Sequence, residues 1–180
     1  MRDLIERLYR EQTLPPDKLR TLLTCCDDEH LSLIRQKACE VAQTHFGNSI
    51  YIRGLIEIGN CCRNDCYYCG IRCSNRAIER YRLDKEDILA CCREGYALGF
   101  RTFVMQGGED SRSHDEQMID IITTIRQHYP DVAITLSLGE KDTATYRRFY
   151  EAGANRYLLR HETHNEQHYR MLHPEKMSLS

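Results

Sequence analysis

Residues 101–139 read RTFVMQGGEDSRSHDEQMIDIITTIRQHYPDVAITLSLG, and this stretch decides the fold. Arg101–Gln106 is a short apolar run ending in Gly107-Gly108, and its length and β-branched content predict a strand. Asp115–His128 carries apolar residues at helical spacing, Pro130 interrupts it, and Val132–Leu138 predicts a second strand closed by Gly139. Two strands joined by a helix of that length pair in parallel, because a hairpin cannot connect them.

The same unit recurs on both sides. Upstream, Ser49–Ile58 predicts a strand, and Lys85–Leu98 a helix with Asp84 as its N-cap and Gly99 as its stop. Between them lies a polar loop, roughly Gly59 to Arg76. Downstream, Thr143–Ala152 predicts a helix ended by Gly153, Asn155–Arg160 a fourth strand, and Asn165–Leu172 a last helix. The chain before residue 48 reads as helices only: Arg2–Glu11, Asp17–Leu23 behind Pro15-Pro16, and Glu29–Thr44, with Leu31, Leu33, Ile34, Ala38 and Val41 as its stripe. The expected organisation is a helical segment over 1–47 and an α/β part over 48–180. Four βα units imply either a doubly wound sheet or part of a TIM-type βα-barrel. A full eight-fold barrel takes roughly 250 residues, so the pattern predicts the first half of one and a fragment of a longer protein.

Both architectures bind ligands at the carboxyl ends of the strands. The unusual polar strings all fall there: a cysteine loop after the first strand, QGGED after the second, SLGE after the third and RHET after the fourth.

Composition narrows the function. The 25 basic and 27 acidic side chains nearly cancel, which argues against a nucleic-acid binder. No apolar run reaches the roughly 18 residues of a membrane span, and the N-terminus has no secretory h-region, so a cytoplasmic protein is expected. The ten cysteines are the anomaly. In a reducing compartment a cluster of them reads as metal or iron–sulfur ligands rather than as disulfides.

Five of the ten lie between Cys61 and Cys73. Cys62, Cys66 and Cys69 have the spacing C-x3-C-x2-C, and three thiolates on one loop can hold three irons of a 4Fe–4S cubane with the fourth iron open. Cys61 allows a ferredoxin-like C-x4-C-x2-C, and Cys73 a closed four-cysteine site for a cluster or zinc. Arg53, Arg63, Arg72 and Arg76 are nearby cations able to offset thiolate charge. Cys25, Cys26, Cys39, Cys91 and Cys92 read as small buried hydrophobes on helices. His161, His164, His168 and His173 read as solvated helix side chains, since His161-Glu162-Thr163-His164 falls one residue short of H-E-x-x-H.

The three-cysteine loop after a first strand resembles the radical S-adenosylmethionine (SAM) superfamily. CRNDCYYCGIRCSNRAIERYRL, FVMQGGED, ITLSLGE and AGANRYLLRHETHN, in that order, closely resemble the HydE family of FeFe-hydrogenase maturases over roughly residues 30 to 173. Biotin synthase and methylornithine synthase are close relatives of that family by fold, and the QGGED, SLGE and YLLRHET strings in that order resemble the HydE family over them. The resemblance implies a 4Fe–4S cluster with one open iron on Cys62, Cys66 and Cys69, SAM bound to that iron, and reductive cleavage to a 5′-deoxyadenosyl radical. It implies SAM contacts from Tyr68 beside the adenine, from Gly107, Gly108 and Glu109 at the methionine amino group, and from Ser137 and Glu162. It places Gln106 and Arg160 at the substrate. Many relatives carry serine where Gly107 stands. The implied task is assembly of the dithiomethylamine-bridged diiron subcluster of the hydrogenase, alongside other maturases and an electron donor such as ferredoxin or flavodoxin. The alternatives are a radical SAM enzyme acting on a small organic molecule, and a non-catalytic iron–sulfur electron-transfer fragment.

Overall fold

The structure, a computed structural model, describes residues 1–111 and 115–178. The chain divides into two compact units, Met1–Tyr51 and Ile52–Ser180.

The first unit is helical, with α1 (Arg2–Glu11), α2 (Pro16–Thr24) and α3 (Asp28–Phe46). Pro16 opens α2, where a missing N–H costs nothing, and Asp27 caps α3 by accepting from the His30 amide at 2.9 Å. Ile5 and Leu22 are its buried apolar residues. The stripe expected on α3 is not a buried face: Leu33 and Ile34 are half-covered, while Leu31, Ala38 and Val41 are exposed.

The second unit alternates β1 (Gly54–Gly59), α4 (Lys85–Ala97), β2 (Thr102–Gly107), α5 (Asp115–His128), β3 (Ala133–Ser137), α6 (Thr143–Ala152), β4 (Arg156–Tyr157) and α7 (Glu166–Leu172). The four strands form one parallel sheet in the order β1-β2-β3-β4. Sequential order with a helix after each strand is the arrangement of a βα-barrel, present here as four units.

The strand faces explain the sequence pattern. Ile56, Phe103, Met105, Ile134 and Leu136 pack with Ile88 and Cys92 of α4, Met118, Ile122 and Ile125 of α5, and Phe149 of α6. On the opposite face Glu57, Gln106 and Ser137 stand side by side in register. That polar row would line the inside of a closed barrel. Phe103 and Phe149 are the largest side chains in the core, and Phe103 is 1% exposed and packed against Gly54 and Gly95. Phe103→Ala is expected to lower unfolding stability by about 3–5 kcal/mol in a urea titration, the usual cost of an aromatic cavity. A loss below about 1 kcal/mol would mean the core collapses around the gap.

The structure corrects several expectations. The first strand does not begin at Ser49. Ile50, Tyr51 and Ile52 are exposed, and pairing with β2 starts only at Gly54, opposite Phe103. The fourth strand is two residues long, and Leu158 and Leu159 are half exposed. Of the helix cysteines only Cys92 is fully buried, with its thiol pushed up to about 12, by burial first and then by Cys91. Cys91 is one helical step round from the core face and is exposed, as is Cys39 on α3, which buries none of its residues; Cys25 and Cys26 lie not on a helix but in the turn between α2 and α3, exposed and half-covered.

Candidate functional site

The carboxyl ends of the strands surround a cavity of about 490 Å³. Register brings them level: Gly59 pairs with Gly107, and Gln106 with Ser137. The loop after β1 contributes Cys62, Cys66, Tyr68 and Cys69; the end of β2 contributes Gly107, Gly108 and Glu109; β3 contributes Ser137; and the segment after β4 contributes Arg160 and Glu162. These residues, scattered over a hundred positions, line one space. Gln106 does not line it. Its amide donates to Glu57 Oε1 at 3.4 Å on the same sheet face.

Close packing at two glycines lets the loops meet. A Cβ on Gly108 would lie 2.4 Å from the Cys61 carbonyl oxygen and 2.7 Å from Cys62 Cβ. Gly139, at φ +80°, ends β3 and lies against the Glu109 side chain, and the Tyr157 hydroxyl donates to its carbonyl at 2.6 Å. Arg63 ties the cysteine loop to the end of β2: its amide donates to the Glu109 carbonyl at 2.8 Å, and its guanidinium grips Glu109 Oε2 at 3.0 and 3.2 Å.

The three thiols are electrostatic neighbours. Burial pushes the Cys66 thiol up, and Cys62 and Cys69 push the same way, while the Tyr68 hydroxyl opposes them. Among the described residues no three side chains converge tightly enough for a single metal ion. Three soft thiolates on a half-buried loop fit a cluster in which each binds a different iron. Cys73 does not line the cavity; its amide donates to the Asn64 carbonyl at 2.9 Å. Cys61 also stands outside, its thiol 3.7 Å from the Tyr81 carbonyl.

The cation assignments change. Arg63 is neutralised by Glu109, and Arg72 donates to the Tyr67 carbonyl at 2.8 Å. Arg80, not foreseen as a site residue, donates to the carbonyls of Asn60, Ile71, Arg72 and Asn75. His173 is likewise not a solvated helix side chain. It is 5% exposed, stacked on Tyr169 with centroids 3.9 Å apart, and edge-on to Tyr68. Its Nδ1 lies 3.0 Å from the Tyr169 carbonyl, which makes that nitrogen the donor and leaves Nε2 to face the Tyr68 hydroxyl at 3.5 Å. His161, His164 and His168 are exposed, and His161 and His164 precede α7 rather than lie on it. Glu162 has φ +58°, with the Thr163 amide donating back to the His161 carbonyl at 2.7 Å. A non-glycine residue in the left-handed region costs about 1–3 kcal/mol, and such strain gathers at functional sites.

A parallel sheet in sequential order, with three thiols on its first loop edging a cavity at the strand ends, defines a class of βα-barrel proteins that gather cysteine sulfur at the carboxyl face. The chain belongs to the radical SAM superfamily, whose family model matches residues 56–178. It is similar to the [FeFe] hydrogenase maturase subunit HydE of Thermotoga maritima, with 37% identity over 97% of this chain and 49% of that protein. It is also similar to 3-methylornithine synthase of Methanosarcina acetivorans, with 30% identity over 93% of this chain and 48% of that one. The crystal structure of methylornithine synthase (PylB) superimposes with a TM-score of 0.82 and 29% identity, over 96% of this chain and 51% of the other. The chain spans about half the length of the curated relatives it matches.

Proposed function

We propose that this chain carries the cluster- and SAM-binding part of a radical SAM enzyme, one that cleaves SAM reductively to a 5′-deoxyadenosyl radical in the service of FeFe-hydrogenase maturation. One observation carries the reading: Cys62, Cys66 and Cys69 line the same cavity as the segments at the ends of β2, β3 and β4, while Cys73 does not. Cys62, Cys66 and Cys69 would hold three irons of a 4Fe–4S cluster, which would leave one iron for SAM and would supply the electron for cleavage of its sulfonium C–S bond.

The chain's own residues do the rest. Tyr68 offers its ring to the adenine, with its edge set by His173. Gly107 and Gly108 let the backbone approach the methionine amino group, and Glu109 offers a carboxylate that Arg63 holds in place. Ser137 and Glu162 face the cavity as partners for ribose hydroxyls. Arg160, with its fixed fork of donors, suits a carboxylate or cyanide-bearing substrate, and Gln106 lies below on the polar row. In this reading residues 48–180 form the first half of the barrel behind a helical segment over 1–47. The protein works in the cytoplasm with a ferredoxin or flavodoxin donor and other maturases, and its substrate is the precursor of the dithiomethylamine-bridged diiron subcluster. The similarity to HydE supports this substrate. The similarity to 3-methylornithine synthase supports a second reading, with a small organic substrate.

Low-temperature EPR of the anaerobically reconstituted, dithionite-reduced protein tests the core of the proposal. A reduced 4Fe–4S signal that changes on adding SAM is the expected result. A signal indifferent to SAM, in the parent chain and in Cys73→Ser alike, would overturn it. Restoration of hydrogenase activity in a maturation mixture then separates the two substrates.

A further inference from the structure

We propose that Arg80 is both the clamp that shapes the cysteine loop and the cation set aside for its thiolates; the second role rests on the reading above that the loop holds a cluster. The loop has no regular structure of its own. Its two ends must be brought together before three sulfurs can face one space. Arg80 does this with a single guanidinium. Nη1 donates to the Asn60 carbonyl at 2.5 Å and the Ile71 carbonyl at 2.8 Å, joining the residue before Cys61 to the second residue after Cys69. Nη2 donates to the Arg72 carbonyl at 2.6 Å and the Asn75 carbonyl at 3.1 Å. Asn60 reciprocates: its Nδ2 donates to the Glu79 carbonyl at 2.7 Å, and its Oδ1 accepts from the Tyr81 amide at 2.8 Å. The two side chains close the loop at its base from both directions.

Charge gives the second half. Among the described residues the hydrogen-bond partners of Arg80 are carbonyls, and no carboxylate pairs with it. Two neighbouring arginines are already paired, Arg63 with Glu109 and Arg82 with Asp110, while the Arg72 guanidinium donates to the Tyr67 carbonyl alone among its described bonds. The loop's task is to hold anions, since a thiol binds metal only as thiolate. A half-buried cation with no carboxylate of its own keeps its field for those anions, and outer groups of this kind orient and tune metal ligands. Lysine can supply the charge but not the planar fork that reaches four carbonyls.

The clamp is tested on the metal-free chain by chymotrypsin, which cuts at the exposed Tyr67 and Tyr68. Arg80→Met is expected to speed that cleavage by about tenfold or more, because cleavage tracks the open population and charge-assisted bonds are lost. Arg80→Lys should be cut nearly as fast, and millimolar guanidinium ion should slow the cutting of Arg80→Met. The counter-cation role is read from the reconstituted cluster. Its midpoint potential should fall in Arg80→Met, because reduction adds negative charge, and should stay near the parent value in Arg80→Lys. A parent-like cleavage rate in Arg80→Met overturns the clamp, and an unchanged potential overturns the counter-cation. Should Arg80→Met fail to fold, Arg80→Lys carries both readouts: faster cutting supports the clamp, parent-like cutting rejects it, and a lowered potential rejects the charge role. A parent chain that takes up no iron would defeat the cluster reading and leave the proteolysis to decide on the clamp alone.

Discussion

Cys66→Ser is expected to abolish the iron–sulfur chromophore and all SAM cleavage, while Cys73→Ser keeps both. Cys66 stands between Cys62 and Cys69 in the sequence of the loop, and all three line the cavity. Its thiol is half-buried, and burial raises its pKa first, with the neighbouring thiols adding to the effect. A metal overcomes that penalty by supplying positive charge directly to sulfur. Serine cannot substitute: its alcohol is far harder to deprotonate than a thiol, and its oxygen is a hard ligand where iron–sulfur clusters are held by soft ones. Iron after anaerobic reconstitution should drop from about four atoms per chain to a small residue, read by metal analysis and visible absorption. Cys73 lies only four positions past Cys69, but it does not line the cavity that Cys62, Cys66 and Cys69 share. If Cys73→Ser lost its iron as completely as Cys66→Ser, the site would be a closed four-cysteine one. The open iron, and with it the SAM chemistry, would then have no place.

The alternation of strands and helices was legible because each apolar run is short and bounded by glycine, proline or a capping aspartate. Asp84 caps its helix as the pattern implies, accepting from the Asp87 amide at 2.8 Å, and the structure adds Asp142 as the cap of α6, accepting from the Thr145 amide at 2.6 Å. The strand limits were less legible. Ile50 and Ile52 have strand-like character, but a strand exists only where a partner does, and pairing starts at Gly54. The convergence of QGGED, SLGE and RHET on the cysteine loop followed from topology alone, since a parallel sheet puts every carboxyl end on one side. What the sequence hid were residues that act through geometry. Arg80 looks like any charged loop residue until its four carbonyls are seen, and no spacing rule links it to Asn60. His173 was masked by three exposed histidines in the preceding twelve positions, and its burial depends on Tyr169 and Tyr68 meeting it in space. Glu162 occupies a conformation that composition would assign to glycine or asparagine, so nothing in the residue name announces it.

Gly108→Ala adds one methyl group and is expected to damage both stability and the cluster. The new Cβ would sit 2.4 Å from the Cys61 carbonyl oxygen and 2.7 Å from Cys62 Cβ. Neither neighbour is the far end of a flexible side chain. The end of β2 and the cysteine loop must therefore separate, by roughly half an ångström or more, in a region packed like the rest of the interior. Overpacking of this kind costs about 1–3 kcal/mol, measurable by chemical denaturation. The displacement falls on Cys62 itself, so iron uptake and SAM affinity should fall with it. Two companions separate this effect from a general intolerance of change. Gly70 lies next to Cys69, yet a Cβ there meets nothing within 4 Å, so Gly70→Ala should leave iron and stability as they are. A Cβ on Gly107 would stand 3.3 Å from the Gly59 carbonyl and 3.3 Å from Ile58, a fit that shifts of a few tenths of an ångström would relieve. Gly107→Ser should therefore fold and load iron, and its hydroxyl offers SAM an additional hydrogen bond at the strand edge. The ordering expected for iron content is Gly70→Ala at the parent level, Gly107→Ser close to it and Gly108→Ala far below. If Gly108→Ala instead loads iron and binds SAM like the parent, the cysteine loop moves freely past the end of β2. The close approach of these two segments would then have no part in placing Cys62.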